Sequence, residues 1–419
     1  MTGFKDVKLG SLDGVTVIDC TWVLSGPHCS KLLADMGATV IKIEPYGVGA
    51  NERHLNIQKT HDGVTQSSYS INVNRGKKSL CINLKTPQGL DIMKDLIKQS
   101  DVVLENYAPG VMERLGLDYE SVKNIIYCSI SCFGHWGPYS HKPGYDMIAQ
   151  VASGWTAQSE VYQIAPNSIG DTVAGVHAAL AIVSALYARN VQGIGQNIDI
   201  AMVDCLFSLH ENSVPWYVLG QAVGEPVYPG KIGRTHEGYA PYGIYEGKNG
   251  VVGIALLSNN RWEAMVRTMG EKYLWMIDDP RTRDVHSRCM NPKLVNEAVA
   301  EWVMAQDSVE EVERIFDEVE VPCMRARTIA ELCDTDPQIK ARDMMHEIDQ
   351  PFIGPIKMYG SPIKMSETPS CIRGYSPFLG EHNDQVLTDI LGYSPEQVKN
   401  LYDSAIIYRE EAVDRLEDG

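Results

Sequence analysis

Basic residues are in short supply: 37 Lys and Arg stand against 54 Asp and Glu, a formal charge of −17 over 419 residues. That balance opposes sequence-independent nucleic-acid binding and requires any anionic ligand to meet a local basic or amide-rich pocket. Metal-ligand spacing is also missing. The 11 histidines are scattered, without HExxH or a Cys/His cluster, so no metal site is expected. The 10 cysteines form no CxxC pair and lack the density of a small secreted scaffold, which makes them reduced thiols, Cys128 and Cys132 being packing groups on one strand face. No GxGxxG occurs; Gly134-His135-Trp136-Gly137-Pro138 runs into a proline rather than a helix and reads as a turn. The start, Met-Thr-Gly-Phe-Lys-Asp, has no apolar run behind it, so no secretory signal is read and a cytoplasmic address is expected. The most apolar window, 173–188, is short for a bilayer and contains His177; it reads as a buried helix, with no membrane partner.

What is present is an ordinary globular composition, 44% apolar and 22% charged, in a chain beyond the usual single-core limit, so two domains, or one large domain carrying a smaller insert, are expected. A β-branched run at 15–19 leads through a polar loop into helical spacing at Cys29, Leu32, Leu33 and Met36. Gly37 ends that helix and a second strand follows at 39–44, a parallel crossover unit. Further strands at 79–84, 101–105, 125–130 and 197–201, with helices at 87–99 and 170–190, predict a doubly wound, Rossmann-like α/β sheet. Its ligand loops begin at Cys20, Asn106 and Ser131. In the 170–190 helix Val173, Val176, Leu180, Val183 and Tyr187 share one face, and Ala178, Ala181 and Ala185 allow close packing on the other. A Gly/Pro-rich stretch at 223–241 leads into a smaller α+β unit, with a strand pair at 243–256, helices near 259–269, 291–304 and 308–318, and a strand at 321–325. A helix, an irregular run and a terminal helical pair at 385–401 complete the chain.

Two carboxylates stand at helix mouths. Asp171 follows Gly170 ahead of the long apolar helix. It is either an N-cap, worth about 1 kcal/mol, or a nucleophile presented on a rigid element. A carboxylate with an ordinary pKa of about 3.9 is ionised at neutral pH without a base. The readings differ in whether its oxygens are tied to helix amides or free. Asp146, in Pro143-Gly144-Tyr145-Asp146, carries the same ambiguity.

Taken together, the motifs resemble the class III CoA-transferases, the family of formyl-CoA transferase and carnitine CoA-transferase. The matching pieces begin with Leu12-Asp13-Gly14, Ser25-Gly26-Pro27 and Leu33-Ala34-Asp35-Met36-Gly37-Ala38, which continues to Pro45. Asn74 with Lys77-Lys78-Ser79, Leu84 to Gly89 and Glu105-Asn106-Tyr107-Ala108-Pro109-Gly110 follow. Phe133-Gly134, Gly137-Pro138, Ile169-Gly170-Asp171, Gly195-Gln196, Ala201-Met202 and Leu379-Gly380-Glu381-His382 complete the series, in the family's order. The resemblance implies Asp171 as nucleophile and CoA contacts from Trp22, Val23, Leu24, Ser25, Ile82, Lys85, Asn106, Tyr107, Arg114 and Met202. It implies support from Tyr145 and Asp146, with Gly230 and Gly233 in a loop of oxyanion donors. It further implies no tightly bound cofactor, with an acyl-CoA thioester and a carboxylic acid as substrates. The implied assembly is a homodimer of interlocked rings, each chain having a large CoA-binding domain at 1–220, a small domain at 221–330 and a segment at 331–419 that returns to the large one. Two departures matter. Pro45 stands where Arg is frequent, and Gly230-Lys231-Ile232-Gly233-Arg234 replaces a run of glycines, which weighs against formate and oxalate as the acid pair. Trp22, Leu55, Trp136, Tyr139 and Tyr145 point to a larger acid. The alternatives are an α-methylacyl-CoA racemase, which typically has Gly-His-Asp at Gly144-Tyr145-Asp146, and a non-catalytic CoA- or nucleotide-binding protein.

Overall fold

The computed structural model describes residues 9–225, 232–236 and 238–417. Apolar, β-branched runs covered on both faces make the strands of a parallel sheet. β1 (Thr16–Cys20), β2 (Thr39–Pro45), β3 (Lys78–Ile82), β4 (Val102–Glu105), β5 (Ile126–Ser131) and β6 (Gln196–Ala201) are all parallel, in the order β3-β2-β1-β4-β5-β6. Ile18 faces Ile41 on one side and Val103 on the other, at the centre of the sheet. The order reverses between β1 and β4, which opens a crevice beyond their carboxyl ends.

Helices α1 (Ser25–Asp35) and α2 (Pro87–Lys98) follow β1 and β3. α2 starts where Thr86 accepts the Gly89 N–H at 3.1 Å and Pro87 pre-sets the first turn. It buries Ile92, Met93, Leu96 and Ile97 in the core with Ile18 and Ile41. α3 (Asp146–Ala152) and the 24-residue α4 (Ile169–Gln192) come next, and the short α5 (Met202–Phe207) leaves β6. α4 packs on α1, where Gly175 lies against Ser25 and Cys29, and buries Ala174, Ala178, Ile182 and Ala185. Its bulky face is open, with Val176 48%, Leu180 64% and Tyr187 72% exposed. The small-residue face is therefore the buried one, contrary to a helix covered all round. By length and composition α4 could cross a bilayer, yet half of that stretch is buried in the fold.

The chain divides into two compact units. The first takes the residues up to Ser153, then Ala165–Leu209 and the chain from Pro337 on; the second is Gly154–Ile164 with His210–Asp336. In the first, Val386, Leu387, Val398 and Leu401 join the core around β3, and Asn383 accepts the Cys81 N–H at 2.9 Å. In the second, β7 (Tyr242–Gly247), β8 (Gly250–Ala255) and β9 (Cys323–Arg325) form an antiparallel sheet. Trp262, Trp302 and Phe316 fill its core. Two hairpins lie outside the sequence reading: Gln58–His61 with Val64–Ser67, and Met345–Gln350 with Gly354–Tyr359. Their short strands carry few apolar residues, and Gln58–His61 is exposed throughout, so there is little apolar alternation to stand out.

Candidate active site

The loops after β1 and β4 meet at the strand-order reversal. Asn106 accepts the Trp22 N–H at 2.9 Å, and its amide donates to the Trp22 carbonyl at 2.9 Å and to Ser25 Oγ at 3.3 Å. Between them lies a cavity of about 160 Å³. Residues 22–25 line one wall and 106–109 another; 130–133, 142–145, Asp171 and Met202 close it.

Asp171 is the third residue of α4 and is 9% exposed. Ser168 precedes the helix without a side-chain cap. The cap comes from Asp146, whose Oδ1 accepts the N–H of Gly170 at 2.7 Å and of Asp171 at 3.3 Å, while its Oδ2 accepts Gln150 Nε2 at 2.6 Å. Asp146 thus caps a helix other than its own, and the Asp171 carboxylate is relieved of capping. Ser25, through its N–H and hydroxyl, is the neighbour that favours the ionised form of Asp171. Gly175, one turn on, permits this approach: a Cβ there would meet the Ser25 carbonyl oxygen at 2.7 Å and Cys29 N at 3.2 Å.

Burial pushes the Asp171 carboxyl up to about 7; the Asp146 charge adds to the rise and the Ser25 hydrogen bonds oppose it. Burial, then the Asp171 charge, raises the neighbouring Cys132 thiol to about 12 and lifts the Tyr69 phenol above its ordinary range. A carboxylate that costs free energy to ionise, freed from its own helix and facing a cavity, is equipped to attack an electrophile or to carry a proton.

Of the residues expected in the site, Trp22, Val23, Leu24, Ser25, Asn106, Tyr107, Tyr145 and Met202 surround the cavity with Asp171. Asp146 sits behind Asp171 rather than in the lining. Ile82 is 1% exposed within the core, and Lys85 and Arg114 are exposed outside the lining. Gly230 lies outside the described residues, and Gly233 belongs to the second unit, beside Glu160. Trp136 and Leu55 are exposed and do not line the cavity. Tyr139 packs on Phe133 with its ring centroid 5.8 Å away. Lining residues that the sequence reading did not assign to the site include Cys132, taken as a packing group, Ser140 and Lys142. Lys142 Nζ lies 4.2 Å from the Tyr139 ring centroid, and a cation next to Pro143-Gly144 was the available signal for it.

In parallel α/β sheets, ligands are taken up in the crevice beyond the strand ends at the strand-order reversal, where this cavity lies. The model of CoA-transferase family III matches residues 12–383. Succinyl-CoA:mesaconate CoA-transferase of Haloarcula marismortui is 35% identical over 91% of this chain and 96% of its own. Formyl-CoA:oxalate CoA-transferase of Rhodopseudomonas palustris is 33% identical over 95% and 97%. The solved structure of a CAIB/BAIF family protein from Brucella suis has 28% identity and a TM-score of 0.78, covering 91% of this chain and 100% of that one. The chain belongs to CoA-transferase family III, as its motif order indicated.

Proposed function

We propose that the protein transfers CoA from an acyl-CoA thioester to a carboxylic acid, with Asp171 as covalent nucleophile. The observation that carries this reading is the Asp171 carboxylate, which does not cap its own helix, faces the cavity and is held by Ser25. The Asp171 carboxylate attacks the thioester carbonyl and expels CoA thiolate, leaving an aspartyl-acyl anhydride. The thiolate then attacks the aspartyl carbonyl, releasing the donor acid and forming an aspartyl-CoA thioester. The acceptor carboxylate attacks that carbonyl, and the returning thiolate takes the acceptor's acyl group and frees Asp171. One thioester replaces another, so no ATP enters. A carboxylate is a weak nucleophile, and positioning can supply about 7–11 kcal/mol of the barrier reduction.

Relatives named for succinyl-CoA with mesaconate, D-citramalate or glutarate support a dicarboxylic thioester as donor. Lys142 at the cavity gives an acidic protein the local cation that an anionic substrate needs. The working assembly in this reading is a homodimer, supported by the open apolar face of α4, and 10 unpaired cysteines fit the reducing cytoplasm. A monomer at micromolar concentration in light scattering would contradict the assembly.

The test pairs Asp171→Ala with label exchange between succinyl-CoA and a panel of carboxylic acids. Transfer falls by several orders of magnitude while CoA binding persists. Retained transfer would remove Asp171 from the mechanism, and α-proton exchange in deuterated water without any acceptor acid would favour racemisation.

A further inference from the structure

Beneath the loop that carries Ser25 lies a charge network that the transfer chemistry does not use. Asp19, Lys42, Glu52 and Lys77 are each 4% exposed or less, two anions against two cations. Lys77 Nζ lies 3.0 Å from Asp19 Oδ2, and Lys42 Nζ lies 2.8 Å from Glu52 Oε1. Such a group is costly to bury and is weak evidence for stability, so its hydrogen bonds to the loop matter more. They hold two residues of the loop, Thr21 and Val23, at the backbone. Asp19 accepts the Thr21 N–H at 3.0 Å, Lys42 donates to the Thr21 carbonyl, and Glu52 Oε2 accepts the Val23 N–H at 3.0 Å.

Val23 is the point of strain. Its φ is 64°, in the left-handed region that a β-branched residue avoids. Conformations of this kind persist where the surroundings over-determine them. Asn106 fixes Trp22 on one side, and on the other α1 begins two residues on, its first turn closed by the His28 N–H on the Leu24 carbonyl at 2.7 Å. Glu52 is the acceptor that holds the Val23 N–H between them.

We propose that Glu52 is a positioning residue for the transfer reaction: it locks Val23 in its left-handed conformation and thereby aims the N–H and hydroxyl of Ser25 at Asp171. This rests on Asp171 being the nucleophile. Glu52 touches no reacting atom; it acts through the loop backbone.

The experiment compares the wild type, Glu52→Ala, and Glu52→Ala combined with Val23→Gly, measuring kcat, KM for succinyl-CoA, and melting to establish folding. Glu52→Ala lowers kcat/KM roughly 10²-fold, mainly in kcat, because the loop relaxes out of register. Adding Val23→Gly restores at least about tenfold of that loss, since glycine adopts a positive φ without an anchor. Where Glu52→Ala does not fold, Glu52→Met with and without Val23→Gly makes the same comparison, because the thioether chain fills the site without an oxygen to accept the Val23 N–H. Folded Glu52 variants with kcat/KM within about threefold of wild type, or no recovery from Val23→Gly, overturn the proposal. Asp171→Ala is run alongside. If it stays active, the nucleophile assignment fails; if it is dead while the Glu52 variants are normal, only the role of Glu52 fails.

Discussion

Replacing Asp171 with asparagine tests whether this carboxyl is under the electrostatic pressure that the structure describes. Its pKa moves from 3.8 to about 7 on folding, driven by burial and then by Asp146. At about 1.4 kcal/mol per unit, the cost of holding Asp171 ionised in the folded protein is roughly 4 kcal/mol as an order of magnitude. The sign follows from the raised value. Below the unfolded pKa near 4 the group is protonated in both states and costs nothing. As pH climbs through the folded pKa the wild type loses stability, and above it the full cost is present. Asp171→Asn keeps an oxygen for Ser25 and does not titrate. The stability gained by the variant therefore grows between about pH 4 and 7 and is flat above. Urea denaturation of both proteins at matched concentration, at each pH from 5 to 9, measures this difference, in which titrations of groups not coupled to Asp171 cancel. A difference independent of pH over that range would refute the reasoning and return Asp171 to an ordinary carboxylate.

The rate carries the same signature: kcat/KM rises with pH through about 7 as Asp171 ionises. Asp146→Asn lowers that midpoint, because it removes a neighbouring negative charge while its amide oxygen still accepts the Gly170 N–H; an unmoved midpoint would exclude coupling between the two carboxyls. Gly175→Ala places a methyl 2.7 Å from the Ser25 carbonyl and must push α4 and α1 apart. A fall in kcat of roughly 10²-fold is expected from steady-state kinetics, and full activity with an unchanged melting temperature would show that the close approach is dispensable.

Much of the sheet was legible because its strands are short β-branched runs punctuated by glycine and proline, and the reversal of strand order places the loops after Cys20 and Asn106 together. The roles of the two aspartates were not legible. Sequence shows that Asp146 and Asp171 each stand at a helix mouth, but only the tertiary structure shows Asp146 capping the helix that carries Asp171. The α4 faces were visible as patterns, yet which one is buried depends on Gly175 meeting α1, a long-range contact. Cys132 was read with Cys128 as a packing group because strand spacing does not show which thiol meets a cavity, and the loop cation Lys142 had only its neighbours Pro143-Gly144 to mark it.

The central claim is a covalent bond to Asp171, and trapping tests it most directly. Enzyme turned over with succinyl-CoA in the presence of hydroxylamine, then digested and analysed by mass spectrometry, yields a hydroxamate on the peptide that contains Asp171. The same treatment without the thioester leaves that peptide unmodified. An unmodified Asp171 under conditions where CoA transfer proceeds would contradict the account.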